Sequence, residues 1–477
     1  MPEARIDSAG QRPTGRLVAG MAAYGAADAF CGAVRLALAA LYTRLLAPAE
    51  FGVLAVVQVS VVLAATVAPL GLPDVLMVRF REGDPVKMRR DMDRVYGLLL
   101  VVSGALAAVA LAAVYLLPAP EICRSLVPWA VVWAVALALW YVPSQALRFR
   151  GRVGRYAAAR VTQVVTMVGV LLAYVALRTA GLREIVAAEA IGAMLALAAT
   201  HVLEGYLPRP ARDPRVRELL AAGAPFGLLA VAGVVVDYAD RYVITLVLGP
   251  AATGYYAVAA RISMVGTLLT GALLAMWQPH FYRLAGSGRV DQPLVRSISR
   301  KLALVFTAGL VLCMVVLPGL MTVRIAGRWF IAPAYQGAAV LVAPLLLQYF
   351  FKVLYFLTTP AINFHGRTWR QLAMTAVVGT LSVGMNALLL SVLDGPAFAL
   401  LTVTALVTAG AYAIAMVFGV HELRALYPGA SVGLGFTLAA AGAVLVPLLG
   451  RPGPATTAVA AGWLLVLGLV YWRRGPA

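Results

Sequence analysis

Leu46-Ala-Pro-Ala-Glu-Phe-Gly-Val-Leu-Ala-Val56 has a second version, Leu248-Gly-Pro-Ala-Ala-Thr-Gly-Tyr-Tyr-Ala-Val258, which lies 202 residues further along the chain. Six of the eleven positions are identical, and both copies fall in a short break between two long apolar runs. A repeat of this kind in so hydrophobic a chain predicts two homologous halves that fold against each other in a membrane, as in many transporters.

The composition excludes an ordinary soluble protein. Hydrophobic residues make up 62% of the chain, charged residues only 12%, and the mean hydropathy is +0.88. These values indicate an integral membrane protein with many spans. The net charge of +19 suggests a nucleic-acid binder at first sight. The basic residues lie in short loops between apolar runs, however, so no nucleic-acid partner is expected.

Apolar runs of about 20 residues predict fourteen membrane-spanning helices. The first seven lie near residues 17–41, 52–73, 95–117, 126–147, 161–177, 185–203 and 219–247. The other seven lie near residues 255–279, 302–323, 337–362, 372–393, 397–420, 431–449 and 455–472. The expected fold is therefore all-α.

The distribution of Lys and Arg sets the orientation of these spans. With fourteen spans, 28 of the 39 basic residues fall on the side that holds both termini, seven fall on the opposite side and four lie inside spans. This asymmetry satisfies the positive-inside rule and places both termini in the cytoplasm. The abundance of Ala and Gly and the use of only three lysines indicate a GC-rich bacterial source, and hence the cytoplasmic (inner) membrane.

The connecting segments carry no signature of catalysis. None contains a phosphate-binding glycine loop, a cluster of metal ligands or a nucleophile elbow. The three cysteines do not form a disulfide or metal framework. The sequence therefore predicts no enzyme, no cofactor and no metal site.

A second pair of motifs extends the repeat. Phe149-x-Gly-Arg-x-x-Arg155 follows the fourth span, and Phe364-x-Gly-Arg-x-x-Arg370 follows the tenth, at an offset of 215 residues. Because spans four and ten have the same orientation, as do spans one and seven, the repeat is parallel. We expect an N-lobe of residues 1–218, a C-lobe of residues 219–430 and an appendage of two further spans in residues 431–477.

Two segments resemble a known group of proteins. One is Arg44-Leu-Leu-Ala-Pro-Ala-Glu-Phe-Gly52, and the other is Asp240-Arg-Tyr-x5-Leu-Gly-x4-Gly-Tyr-Tyr-x-Val-Ala-x-Arg261. Together they are similar to the polysaccharide-transport, O-antigen flippase-like branch of the multidrug/oligosaccharidyl-lipid/polysaccharide (MOP) exporter superfamily. The sharp motifs cover only these segments, whereas the span number and the repeat cover nearly the whole chain.

The resemblance implies a fold and an activity. It implies two six-helix lobes arranged as a V around a central cavity and a mechanism of alternating access. Its expected substrates are lipid-linked glycans, such as those on undecaprenyl pyrophosphate, which cross from the inner to the outer leaflet. Its expected partners are membrane lipids, a polysaccharide polymerase and glycosyltransferases.

Ionisable residues inside the spans are the candidate functional residues, because each costs roughly 2.5–3.5 kcal/mol at the centre of a helix. They face a cavity or a partner by default. The candidate substrate-binding cations are Arg35, Arg241, Arg261 and Lys352. The candidate ion-coupling carboxylates are Asp28, Asp237 and Asp240. A net excess of cations suits an anionic headgroup such as a pyrophosphate.

Several of these residues also have structural interpretations. Asp28 and Arg35 share one helix face and either line the cavity or are held by a neighbouring helix. Asp237 and Arg241 have the i, i+4 spacing of an intrahelical ion pair. Arg241 and Arg261 are close enough to the outer interface to extend into it. Lys352 is expected to contact a phosphate or acidic sugar, or to pair with an aspartate of the other lobe.

Two other functions stay open at this point. A drug or cation antiporter of the same fold would need a more acidic cavity. A non-transporting membrane scaffold would tolerate the loss of its intramembrane charges. The sequence alone favours the transport of lipid-linked glycans.

Overall fold

The computed structural model describes residues 13–73, 76, 85–116, 120–149, 152–205, 216–286, 292–325 and 327–426. We call the first six helices the N-half. They are α1 (Pro13–Leu45), α2 (Pro48–Val67), α3 (Pro85–Leu116), α4 (Glu121–Phe149), α5 (Val153–Ala176) and α6 (Leu182–Glu204).

We call the following helices the C-half. They are α7 (Val216–Tyr238), α8 (Asp240–Leu248), α9 (Pro250–Ser263), α10 (Val265–Gly286), α11 (Gln292–Leu320), α12 (Val342–Phe364), α13 (Thr368–Val392) and α14 (Ala397–Leu426). Between α11 and α12 lie a short antiparallel pair of strands, β1 (Arg324–Ile325) and β2 (Arg328–Trp329), and a 3-10 helix, Pro333–Leu341.

These helices account for the first twelve predicted spans. In the described part of the chain, nine helices are both long and apolar enough to cross a membrane. The last two predicted spans, residues 431–449 and 455–472, lie outside the described residues, as does the whole proposed appendage. The all-α membrane fold is confirmed.

Two spans of the C-half are interrupted, which hydropathy alone did not show. The seventh span is broken at Ala239 between α7 and α8, and the eighth is broken at Met264 between α9 and α10. Broken helices at membrane depth are tolerated where they are buried in protein or line a cavity. Both breaks lie beside the same cavity, described below.

The repeated segments meet face to face at the outer end of the molecule. Both α2 and α9 begin with proline, which is favourable at the first helical position because its missing N–H needs no partner there. A Cβ atom on Gly52 would lie 1.8 Å from the Pro250 carbonyl oxygen, and one on Gly254 would lie 1.9 Å from the Pro48 carbonyl oxygen. The two glycines therefore allow the helix backbones to touch reciprocally.

The segment before α12 covers the same end. The Tyr335 hydroxyl donates a hydrogen bond of 2.8 Å to the Leu46 carbonyl oxygen, and Tyr335 is fully buried. The Arg44 guanidinium donates to the carbonyl oxygen of Trp329 at 2.6 Å. These hydrogen bonds join the connection between α1 and α2 to the C-half, so the outer end is closed.

The second repeated motif fastens each half at the end that the basic loops predict to be cytoplasmic. In the N-half, Arg152 lies 3.3 Å from the buried Glu204 carboxylate at the end of α6. In the C-half, Arg367 and Arg370 lie 2.7 and 3.2 Å from the buried Glu422 carboxylate near the end of α14. The two motifs therefore make equivalent contacts, as expected for a parallel repeat.

The substitution Gly52→Ala tests the closure of the outer end. Its added methyl group has no room beside the Pro250 carbonyl oxygen. Overpacking of this kind costs roughly 1–3 kcal/mol, which corresponds to a shift of about fivefold to more than a hundredfold in the equilibrium between the closed and open outer end. We expect a cysteine placed at Val59, in a variant that lacks the three native cysteines, to react about tenfold faster with an impermeant thiol reagent from the outer side.

Gly169→Ala is the matched control, because a Cβ atom at Gly169 in α5 meets nothing within 4 Å. It should leave the labelling rate unchanged. Equal rates in the two variants would show that the contact at Gly52 does not hold the outer end closed.

Candidate functional site

A cavity of about 230 Å³ lies between the two halves. The N-half contributes side chains from α1, α2, α4 and α6, and the C-half contributes side chains from α7, α8, α9, α10 and α12. Its ionisable lining residues are Arg35, Glu189, Asp237, Arg241, Arg261 and Lys352. The structure thus brings together all four predicted cations, together with Asp237.

Arg35 extends from α1 toward a carboxylate of α6. Its guanidinium lies 3.6 Å from Glu189, which is only 3% exposed. This separation is an ion pair but is too long for a good hydrogen bond. The side chain of Asp28, which was predicted to share this wall, lies outside the described residues.

Lys352 of α12 is bonded to Asp237 of α7. Its ammonium lies 2.6 and 2.7 Å from the two carboxylate oxygens. The Tyr412 hydroxyl of α14 donates a third hydrogen bond to the same carboxylate. Lys352 does pair with an aspartate, but the prediction of a partner in the other half was wrong, since α7, α12 and α14 all belong to the C-half.

Arg241 has a different partner from the one that helical spacing predicts. Its guanidinium lies 2.9 Å from the carboxylate of Asp240 and donates to the backbone oxygen of Asp237 at 3.0 Å. Tyr256 also donates to Asp240, at 2.5 Å. The predicted Asp237–Arg241 carboxylate pair was wrong because Asp237 is engaged by Lys352 and because the helix breaks at Ala239.

Arg261 of α9 is held by neutral groups. It donates a hydrogen bond of 2.6 Å to the side-chain oxygen of Gln58, on α2 of the other half. Its guanidinium also lies 5.0 Å from the ring centres of Tyr42 and Phe51, within the range of cation–π attraction. Arg241 likewise lies over aromatic rings. Both arginines line the cavity, so extension to the outer interface does not explain them.

A match to a protein family covers both copies of the repeated segment. Residues 33–284 match the family described as "Polysaccharide biosynthesis protein". That region spans the first repeated segment, the second one and the two broken helices. The chain belongs to the polysaccharide biosynthesis protein family. No curated protein matches the sequence as a relative.

Solved structures share the fold at low sequence identity. The lipid II flippase MurJ in an inward closed conformation has a TM-score of 0.70 and 12% identity, over 94% of this chain and 98% of that one. An inward-facing multidrug resistance MATE transporter of the MOP superfamily has a TM-score of 0.61 and 15% identity, over 84% and 96%. The chain has the fold of MOP superfamily transporters.

A third similar structure is described by the charge of its site. It is a MOP superfamily transporter from Pyrococcus furiosus Vc1 (DSM3638), for which "reverse polarity of binding pocket suggests different function". Its TM-score is 0.55 and its identity 14%, over 86% of this chain and 95% of that one. For that protein, the charge of the pocket is thus linked to its function.

The cavity of this family member carries a positive excess. Among the described residues, four cations line it, and three carboxylates oppose them when the buried Asp240 behind Arg241 is included, which leaves one positive charge. Arg261 is the cation whose hydrogen-bond partner is neutral. Within this part of the chain, no carboxylate forms an ion pair with its guanidinium.

Sequence reasoning missed the neutral partners and one carboxylate contact. Gln58, Trp133 and Tyr412 were not singled out, and Tyr256 was interpreted as an interfacial anchor, although each is a polar group within an apolar run. Glu189 lies close to the end of its span and was not among the candidate residues. A count of every hydrogen-bonding side chain in the spans, and not of ionisable ones alone, would have found them.

The Lys352–Asp237 pair is tested by single and double substitutions. Breaking a buried ion pair by removing one partner costs about 3–5 kcal/mol, and this pair should fall at the lower end because both side chains reach the cavity, at 13% and 26% exposure. We expect Lys352→Met to lower the melting temperature of the detergent-purified protein, and Lys352→Met with Asp237→Asn to restore much of the loss. Simple addition of the two losses would contradict the pairing.

Proposed function

We propose that this protein is a transporter that flips or exports lipid-linked oligosaccharide or polysaccharide precursors across the bacterial inner membrane. The observation that carries the proposal is the excess of one positive charge, at Arg261, among the described residues of the cavity between the two halves. The protein acts by moving its substrate and not as an enzyme. Its expected ligand is a glycan on a polyprenyl-pyrophosphate carrier.

The chemistry of the carrier suits this cavity. A pyrophosphate presents several anionic oxygens, and a guanidinium binds such oxygens through paired N–H donors. Arg35, Arg241 and Lys352 add positive potential around Arg261 even though each has a carboxylate neighbour. The polyprenyl chain would stay in the bilayer while the headgroup enters the cavity.

The repeated architecture suits alternating access. The outer ends of the halves meet through Gly52 and Gly254 and through the bond from Tyr335 to Leu46. Opening of this contact would expose the cavity to the outer leaflet. We propose that residues 1–218 and 219–430 are the two moving lobes and that residues 431–477 are an appendage to them.

The cellular context follows from the substrate. Glycosyltransferases would load the carrier on the cytoplasmic side, and a polysaccharide polymerase would consume it on the outer side. Genes for such enzymes beside this one would support the proposal. A drug or cation antiporter is less well supported, because a cationic substrate would meet a net positive cavity.

Arg261→Gln tests the substrate class. A hydrogen bond to a charged group contributes about 1.5–3 kcal/mol, so we expect the affinity for a polyprenyl-pyrophosphate glycan in nanodiscs to fall at least about tenfold. Arg124→Gln at the exposed start of α4 is the control, and it should bind as the wild type does. Unchanged binding by Arg261→Gln, or tight binding of a lipophilic cation, would contradict the proposal.

Proton coupling through the aspartates is a separate proposal. If Asp28 or Asp237 takes up a proton during transport, neutral asparagine should remove part of the pH dependence of flipping. We expect Asp28→Asn and Asp237→Asn to flatten the pH profile of flux in vesicles, with Asp240→Asn as a comparison. An unchanged profile in all three variants would rule out coupling at these carboxylates.

A further inference from the structure

Two of the described residues on the N-half wall of the cavity each carry a buried polar atom that lacks a hydrogen bond. Trp133 of α4 and Glu189 of α6 both line the cavity, and each residue is 3% exposed. Within the described part of the chain, neither the indole Nε1 of Trp133 nor the Oε2 of Glu189 has a hydrogen-bond partner, and this Oε2 is the oxygen that lies 3.6 Å from the Arg35 guanidinium. Buried polar groups are nearly always satisfied, so a pair of orphans in one cavity requires an explanation.

The two orphaned atoms have opposite hydrogen-bonding characters. An indole N–H can only donate, whereas a carboxylate oxygen can only accept. The neighbouring Arg35 guanidinium, 3.6 Å from Glu189, supplies further donors. A group that complements this wall must therefore accept from Trp133 and donate to Glu189.

Hydroxyl groups meet both demands, because each one donates once and accepts twice. A second phosphate fits poorly, since Glu189 would repel it at close range. A simple cation would pair with Glu189 but would offer nothing to the Trp133 N–H. A sugar carries several adjacent hydroxyls and can satisfy both atoms at once.

We propose that Trp133, Glu189 and Arg35 form a subsite for the hydroxyl groups of the sugar next to the pyrophosphate. This inference rests on the proposed function and refines it. The subsite belongs to the N-half, whereas Arg261, Arg241 and Lys352 belong to the C-half. The headgroup thus lies between the halves, with its phosphates on the C-half wall and its first sugar on the N-half wall.

A binding experiment separates the two walls. The protein is purified into nanodiscs and titrated with polyprenyl pyrophosphate and with the same lipid carrying one hexose. Trp133→Phe keeps an aromatic ring and removes only the N–H donor. We expect it to weaken binding of the hexose-bearing lipid about tenfold, because a buried polar contact is lost, and to leave binding of the sugar-free lipid unchanged.

Two further variants complete the test. Trp129→Phe makes the same change one helical turn away on α4, outside the cavity lining, and should bind both lipids as the wild type does. Glu189→Gln keeps an acceptor oxygen and should weaken hexose binding less than Glu189→Leu does. Arg261→Gln should weaken binding of both lipids, because both carry the pyrophosphate.

The outcomes distinguish the subsite from the proposed function. Equal weakening of both lipids by Trp133→Phe, or no weakening of either, would overturn the sugar subsite while the function stands. The same would follow if Trp129→Phe matched Trp133→Phe. Failure of the wild-type protein to bind either lipid would reject the proposed function and the subsite with it.

Discussion

Close approach of two helix backbones sets the arrangement of this molecule. Gly52 and Gly254 are the equivalent residues of a duplicated segment, and each lies against the carbonyl oxygen of the proline that begins the opposite helix. Any side chain at either position would separate α2 from α9. Because the same helices carry Gln58 and Arg261 into the cavity, the spacing at the outer end also fixes the distance across the site. The duplicated segment therefore both closes the outer end and sets the width of the cavity.

Below this contact, the buried carboxylates of the C-half are neutralised by neighbouring side chains. Asp237 receives Lys352 and Tyr412, and Asp240 receives Arg241 and Tyr256. Each of these carboxylates is thus matched by one cation and one hydroxyl, all from the C-half. Among the described residues that line the cavity, the two with unsatisfied buried polar atoms, Trp133 and Glu189, belong to the N-half. The site is defined as much by what the protein leaves unsatisfied as by what it pairs.

The sequence predicted the spans, their orientation and the repeat, because each depends on local composition or on matches along the chain. Hydropathy predicted a span at each helical stretch that the structure describes, and nine of these helices are long and apolar enough to cross a membrane. It also predicted that Arg35, Arg241, Arg261 and Lys352 line a cavity, since charge inside a span needs such a place. The sequence did not predict which charged side chains pair. The ion pair of Lys352 and Asp237 depends on how α7 and α12 are rotated about their axes, and residue spacing within one helix carries no information about that rotation.

The clamps at the cytoplasmic ends have a mechanical consequence. Arg152 ties the start of α5 to the last residue of α6, and Arg367 ties the turn before α13 to the end of α14. Each ion pair is thus formed between two residues of the same half. Separation of the two halves at the glycine contact would therefore break neither ion pair. The outer end can then open while the opposite end of each half stays fastened by its own ion pair.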